Sequence, residues 1–126
     1  MYLAKQHHIA IIVSDYEKSR EFYEDKLGFQ QYREVYRPAQ KDHMRMLKQG
    51  DLVLELFVRP DAPARITEPE AMGLRHLAFY VEDIEPAVKW LNERGIETDP
   101  IKEDPVNGGR FTFFRDPDGL PLELHE

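Results

Sequence analysis

Apolar and polar positions alternate along the first interpretable stretch. Over residues 8–14, Ile9, Ile11 and Val13 share one side of an extended segment and His8, Ala10 and Ile12 share the other. That is the two-residue period of a strand with unlike faces, and the branched face predicts a helix packed against it. The helix starts at once. Ser14 and Glu17 have capping-box spacing, Tyr16, Arg20, Tyr23 and Leu27 recur at helical intervals with Phe22 beside them, and Gly28 stops the run. Of that stripe, Tyr16, Tyr23 and Leu27 are expected in the core. Residues 29–36 read as a strand, followed by a polar loop through Arg37, Pro38 and Lys41 long enough for a lid or rim, with a solvated His43. Residues 44–48 and 52–58 read as a hairpin turning at Gln49-Gly50-Asp51, with Leu52, Leu54 and Leu56 on one face and Val53, Glu55 and Phe57 on the other.

Residues 60–73 carry Pro60, Pro63 and Pro69 without periodicity, which predicts a linker. The plan then repeats. A strand runs from Leu74 or Arg75 to Val81, Asp83 caps a helix that tolerates Pro86 in its first turn, Ile84, Val88 and Leu91 form the buried stripe, and Gly95 ends it. Residues 96–101 read as a strand interrupted by Pro100, 104–109 as a loop, 111–114 as a strand and 116–119 as a turn. The last strand sets Leu120, Leu122 and Leu124 against Pro121, Glu123 and His125. Trp90 is expected on a helix surface or at a subunit contact. Each half is strand, helix and three strands.

The two halves also match in wording. His8-Ile9-Ala10-Ile11-Ile12-Val13-Ser14-Asp15 returns 68 residues later as His76-Leu77-Ala78-Phe79-Tyr80-Val81-Glu82-Asp83, and Leu54-Glu55-Leu56 returns at the same offset as Leu122-Glu123-Leu124. In both copies the ionisable residue opposes the apolar set that packs on the helix. If the sheet is curved, His8, Glu55, His76 and Glu123 face one concavity. Two carboxylates among apolar neighbours are costly unless a cation is present, and two imidazoles with two carboxylates are a metal set. Any one of these residues alone would more often be structural; the matched recurrence is what favours the metal. His7 has the opposite parity and is expected exposed or behind His8, while Arg75 and Arg110 flank strands.

Composition narrows the partners. With 126 residues the chain is one domain's worth, and halves of roughly 60 residues bury too little surface to stand alone, so a shared core or a dimer interface is expected. A net charge of -7 disfavours nucleic acid and anionic membranes, leaving a small molecule as the expected ligand. With no cysteine, a metal must rest on nitrogen and oxygen. The N-terminal apolar run is too short for a signal sequence or a membrane span, so the expected location is cytoplasmic.

Beyond the four candidate ligands, the phrases Ser19-Arg20-Glu21-Phe22-Tyr23 running to Leu27-Gly28-Phe29, Leu54-Glu55-Leu56-Phe57, Arg75-His76-Leu77-Ala78-Phe79 and Phe113-Phe114-Arg115-Asp116-Pro117-Asp118-Gly119 resemble the vicinal oxygen chelate superfamily, in particular its glyoxalase I branch, over essentially the whole chain. The resemblance implies an α+β fold of two tandem βαβββ modules, at about 5–59 and 74–126 of a single domain, forming a curved mixed sheet that lines a cleft. It implies one divalent ion, nickel, zinc, cobalt or manganese, on His8, Glu55, His76 and Glu123, at a site closed within one chain or between two chains with exchanged halves, and a homodimer is expected. The implied activity is that of a lactoylglutathione lyase or similar isomerase. Vicinal oxygens of a hemithioacetal, made from a 2-oxoaldehyde and a thiol such as glutathione, are held by the metal, and Glu123 moves a proton through an enediolate. Epimerases, dioxygenases and the metal-free bleomycin-resistance proteins share the fold and are the alternatives. Bacterial glyoxalase I enzymes carry Arg four residues after the first His and Asn four after the first Glu; here those places hold Ile12 and Arg59. Arg59 and His125 are the candidate substrate contacts.

Overall fold

The computed structural model describes residues 2–126 and divides into two compact units, Met1–Pro63 and Ala64–Glu126. In each, one helix packs on a four-stranded mixed sheet, an α+β arrangement.

The first unit runs β1 (Ile9–Val13), α1 (Tyr16–Arg20), β2 (Gln30–Arg37), β3 (Asp42–Gln49) and β4 (Leu52–Val58). Its sheet order is β1-β4-β3-β2; β1 lies parallel to β4 and the other pairs are antiparallel. Alternation sorts the side chains as the sequence predicts. Ile11, Val13, Leu47, Leu54, Leu56 and Val58 are buried with Phe22, Tyr23, Leu27 and Phe29 from the helical segment and the residues that follow it. The helix cap is one residue later than expected: Asp15, not Ser14, has extended backbone, and its Oδ1 accepts from the Lys18 amide at 2.8 Å. From Glu21–Lys26 the helix widens into a π-turn. It closes with Leu27 N–H donating to Phe22 O and Phe29 N–H to Tyr23 O, around Gly28 at φ 86°.

The π-turn carries Phe22 and Tyr23 into the core and Glu24 onto Arg45. Arg45 is 1% exposed, lies opposite Leu56 on the helix side of the sheet, donates to Glu24 and Gln31 and sits 4.5 Å above the Tyr16 ring. Tyr16 is itself only half-buried and donates to Glu34, so it bridges helix and strand rather than filling the core.

The expected lid is absent. β2 continues to Arg37, β3 begins at Asp42, and a turn over 38–41 joins them. His43 is consequently a strand residue, 3.4 Å from Glu34 and in ring contact with Tyr16 and Tyr36. Cross-strand pairing of Arg37 with Asp42 wins over the loop character of the intervening residues.

The second unit runs β5 (Leu77–Tyr80), α2 (Ile84–Glu93), β6 (Lys102–Glu103), β7 (Arg110–Arg115) and β8 (Pro121–His125), ordered β5-β8-β7-β6 with β5 parallel to β8. Asp83 caps α2, and the Glu126 carboxylate accepts from the Ile84 amide at 3.0 Å. Ile84 and Leu91 are buried against a core containing Ile96, Phe114, Leu122 and Leu124; such burial stabilises by roughly 1.5–3 kcal/mol per large aliphatic side chain. The expected strand over 96–101 does not form. Pro100 has no amide hydrogen, so the segment holds to β7 at Asp99 instead of by strand pairing: Asp99 N–H donates to Phe113 O at 2.9 Å, Thr112 Oγ1 to Asp99 O at 2.6 Å and Arg115 Nη1 to Asp99 Oδ1 at 2.7 Å, and pairing resumes at Lys102. Among the described residues, no helix is long and apolar enough to cross a membrane.

Candidate metal centre

Each histidine immediately precedes the first strand of its unit, and each glutamate lies within the parallel neighbour of that strand. Ala10 is level with Glu55 and Ala78 with Glu123, and the small alanine leaves room beside each carboxylate on the face opposite the helix. In unit one His8 Nε2 lies 3.4 Å from Glu55 Oε1, with His8 36% and Glu55 13% exposed. In unit two His76 Nε2 lies 3.9 Å from Glu123 Oε2, with His76 25% and Glu123 13% exposed. His7 Nδ1 stands 2.8 Å from His8 Nδ1, exposed, and the Phe113 edge contacts the His76 ring.

The chemistry of these donors fits a divalent cation. Each carboxylate is largely shielded from water, faces an imidazole nitrogen, and among the described residues forms no ion pair with Lys or Arg. Removing a carboxylate from water without a cation is expensive. Among the described residues, no three His, Asp or Glu side chains form one ready ligand group; the four gather as two pairs.

The flanking residues differ between units. Beside Glu55, on the same face of β4, Phe57 lies under two guanidinium groups, Arg37 at 4.9 Å and Arg59 at 5.6 Å from the ring centroid. Both arginines donate to the buried Asp42. The Arg37 hydrogen bond, followed by that of Arg59, holds the Asp42 carboxyl down at about 2. Beside Glu123, His125 Nε2 lies 2.9 Å from Asp104 Oδ2, its ring stacks on Phe111 and its Nδ1 meets Glu126 O. The Asp104 contact raises the His125 pKa, and the same contact, with the Asn107 and Val106 amides, depresses that of Asp104. Sequence reasoning missed Arg37, Asp42 and Asp104. A tight hairpin would have exposed the first two as cross-strand partners, whereas nothing in the sequence joins Asp104 to His125. Arg75 is engaged by Glu70, and Arg110 by Glu126, Glu85 and Asp83, so both are tied to structural carboxylates.

Two βαβββ units with matched His/Glu pairs define a class, and comparison with known proteins gives the same class. The family model described as Glyoxalase/Bleomycin resistance protein/Dioxygenase superfamily matches residues 5–124. The chain belongs to this superfamily, also called the vicinal oxygen chelate superfamily. It is similar to the uncharacterized protein YwkD of Bacillus subtilis, 58% identical over 100% of this chain and 99% of that protein. It also resembles the crystal structure of a glyoxalase family protein from Enterococcus faecalis, with TM-score 0.97, 52% identity and 100% of both chains covered. A more distant relative is the glutathione transferase FosA of Serratia marcescens, 32% identical over 98% of this chain and 81% of that protein. Further relatives include a 2-epi-5-epi-valiolone epimerase and methylmalonyl-CoA epimerases.

Proposed function

We propose that the chain is a divalent-metal enzyme in which His8, Glu55, His76 and Glu123 hold one ion and Glu123 moves a proton between adjacent carbons of a small vicinal-oxygen substrate. The observation that carries this reading is the pairing of two largely buried carboxylates with imidazoles and, among the described residues, with no Lys or Arg. The ion, nickel, zinc, cobalt or manganese, would supply a Lewis acid for two neighbouring oxygens. The chain's part is to position the substrate and move the proton. His8 and His76 act as neutral donors, Glu55 offsets charge, and Glu123 takes the proton from one carbon and returns it to the next. Phe113 and Phe111, opposite Glu123 and His125 on β7, limit water near that carboxylate. The lead case is the lactoylglutathione lyase reaction in a cytoplasmic homodimer, with a thiol such as glutathione as cosubstrate. An epimerase is the second reading. It is favoured by the epimerases among the relatives and by Ile12 and Arg59, which depart from the bacterial glyoxalase I pattern.

Calorimetric titration with nickel and zinc tests the ligand set. One shared site requires that Glu55→Gln and His76→Gln, which lie in different units, each abolish binding of the whole ion complement. Two independent pairs would instead leave half of the sites in either variant, and that result overturns the reading. Exchange of one substrate hydrogen with solvent deuterium is expected during turnover, whereas stoichiometric oxygen consumption would assign an oxygenase.

A further inference from the structure

We propose that Arg59, braced by Asp42 and Arg37 over Phe57, is an anion subsite that takes a carboxylate carried by the substrate. This deepens the proposed function and rests on it for the chelated end of the substrate, while the anion end stands on unit one alone.

The argument starts from a surplus of donors. Asp42 is 1% exposed, and Arg37 alone satisfies it in fork-to-fork geometry, Nε to Oδ1 at 2.8 Å and Nη2 to Oδ2 at 2.7 Å. A buried carboxylate so held needs no second guanidinium. Arg59 nevertheless donates its Nε to Oδ2 at 2.9 Å. Among the described residues that is the one hydrogen bond of its side chain, so both Nη atoms keep their protons for another acceptor. Two arginines against one aspartate leave a single positive charge, and Arg59 is the more exposed of the pair, 43% against 28%. The Asp42 contact and the Phe57 ring fix the guanidinium plane in advance, which lowers the ordering cost of binding.

Position ties this charge to the metal ligands. Phe57 follows Glu55 by two residues on β4, and Arg59 continues the same row just past the strand end. Strand geometry places the subsite roughly 7–13 Å from Glu55. Ile12 and Met44, the cross-strand neighbours of Phe57, make the intervening surface apolar. A single net charge near an acidic ligand suits a monoanion better than a dianion, because the second charge of a phosphate would be left unmatched beside Glu55. The substrate class is therefore a compound with an oxygen pair at one end, a short apolar stretch and a carboxylate at the other.

The test uses the full chain stripped of divalent ions, so that it is independent of the metal titration: failure of either leaves the other readout intact. Nitrogen-15-labelled protein is titrated at low ionic strength with butyrate, butyramide and inorganic phosphate while the Arg59 side-chain Nε–H resonance and the Phe57 and Ile12 amides are followed. Butyrate is expected to shift all three, with butyramide at least about tenfold weaker. Arg59→Gln is expected to weaken butyrate about 10- to 100-fold, the range of a hydrogen bond between charged groups, while Arg37 keeps Asp42 paired and the chain folded. Arg59→Lys, which keeps the charge and loses the fork, is expected to fall between. Equal butyrate affinity in wild type and Arg59→Gln, equal affinity for butyramide, or tighter binding of phosphate than of butyrate would each overturn the assignment.

Discussion

The ion pair between α1's π-turn and β3 gives the sharpest stability prediction. Arg45 is buried, and Glu24 supplies its charged acceptor, with Gln31 as a neutral one. Arg45 Nη1 is buried without an acceptor among the described residues. Glu24→Ala would leave a full positive charge on the helix side of the sheet with one amide oxygen and the Tyr16 ring. Breaking a buried pair in this way costs about 3–5 kcal/mol; the remaining Gln31 contact sets the expectation at the lower end, about 3 kcal/mol. Arg45→Met removes the charge, keeps most of the volume beside Tyr16 and relieves the unsatisfied Nη1, so its expected cost is about 1 kcal/mol or less. At roughly 4 °C per kcal/mol for a chain of this size, the melting temperature should drop about 12 °C for Glu24→Ala and no more than about 4 °C for Arg45→Met. Urea unfolding followed by circular dichroism gives the free energies, provided the m-values agree. An Arg45→Met variant less stable than Glu24→Ala would refute the claim that the stranded charge, and not the lost packing, sets the cost.

Asp42 ties stability to acid pH. Its folded-state carboxyl sits at about 2 against an ordinary 3.8, so the unfolded chain takes up the proton first. The stabilisation is complete above about pH 4 and drains away as pH falls toward 2; Asp42→Asn should flatten wild-type urea midpoints across that window. Glu126 behaves alike, held at about 2 from 4.5 chiefly by Arg110 and then by the Ile84 amide. Glu126→Gln should flatten the same profile between about pH 4.5 and 2, and hydrogen exchange should show faster opening at the first turn of α2. Phe114, 1% exposed in the core of unit two, should cost about 3–5 kcal/mol as alanine in equilibrium unfolding, without moving metal affinity if the His76–Glu123 face is independent of the helix face.

The fold is legible because it depends on strand parity, and the same parity sets each His and Glu pair on the face opposite the helix. Ile9, Ile11 and Val13 against His8, Ala10 and Ile12 is a pattern that any register preserving the core must respect, and Leu54-Glu55-Leu56 constrains β4 in the same way. What escaped was set by partners distant in sequence or by competition at element ends. Asp15 outcompetes Ser14 for the cap because its carboxylate reaches the Lys18 amide. Arg37 and Asp42 look like loop residues until the register makes them neighbours. The π-turn over Glu21–Lys26 has no signature in periodicity: it shifts the helical phase just where Phe22 and Tyr23 both have to be buried. Pro100 is visible in the sequence, and its missing donor outweighs the strand character of the residues around it over 96–101.

The duplication separates what the two halves share from what each has made its own. At matched places the units keep His8 with His76, Ala10 with Ala78 and Glu55 with Glu123, the residues that face one another across the parallel pair β1/β4 or β5/β8. Two residues beyond each glutamate they part: Phe57 carries the arginines of unit one, while His125 in unit two is locked to Asp104. The cross-strand neighbour diverges as well, Ile12 beside Phe57 and Tyr80 beside His125. A purely structural duplication would have no reason to keep a half-buried carboxylate and an imidazole in both copies, since apolar residues would stabilise the same face at lower cost. Under the proposed function the retained pairs would serve the ion, and the arginine-covered Phe57 of unit one, which His125 replaces in unit two, would serve the substrate.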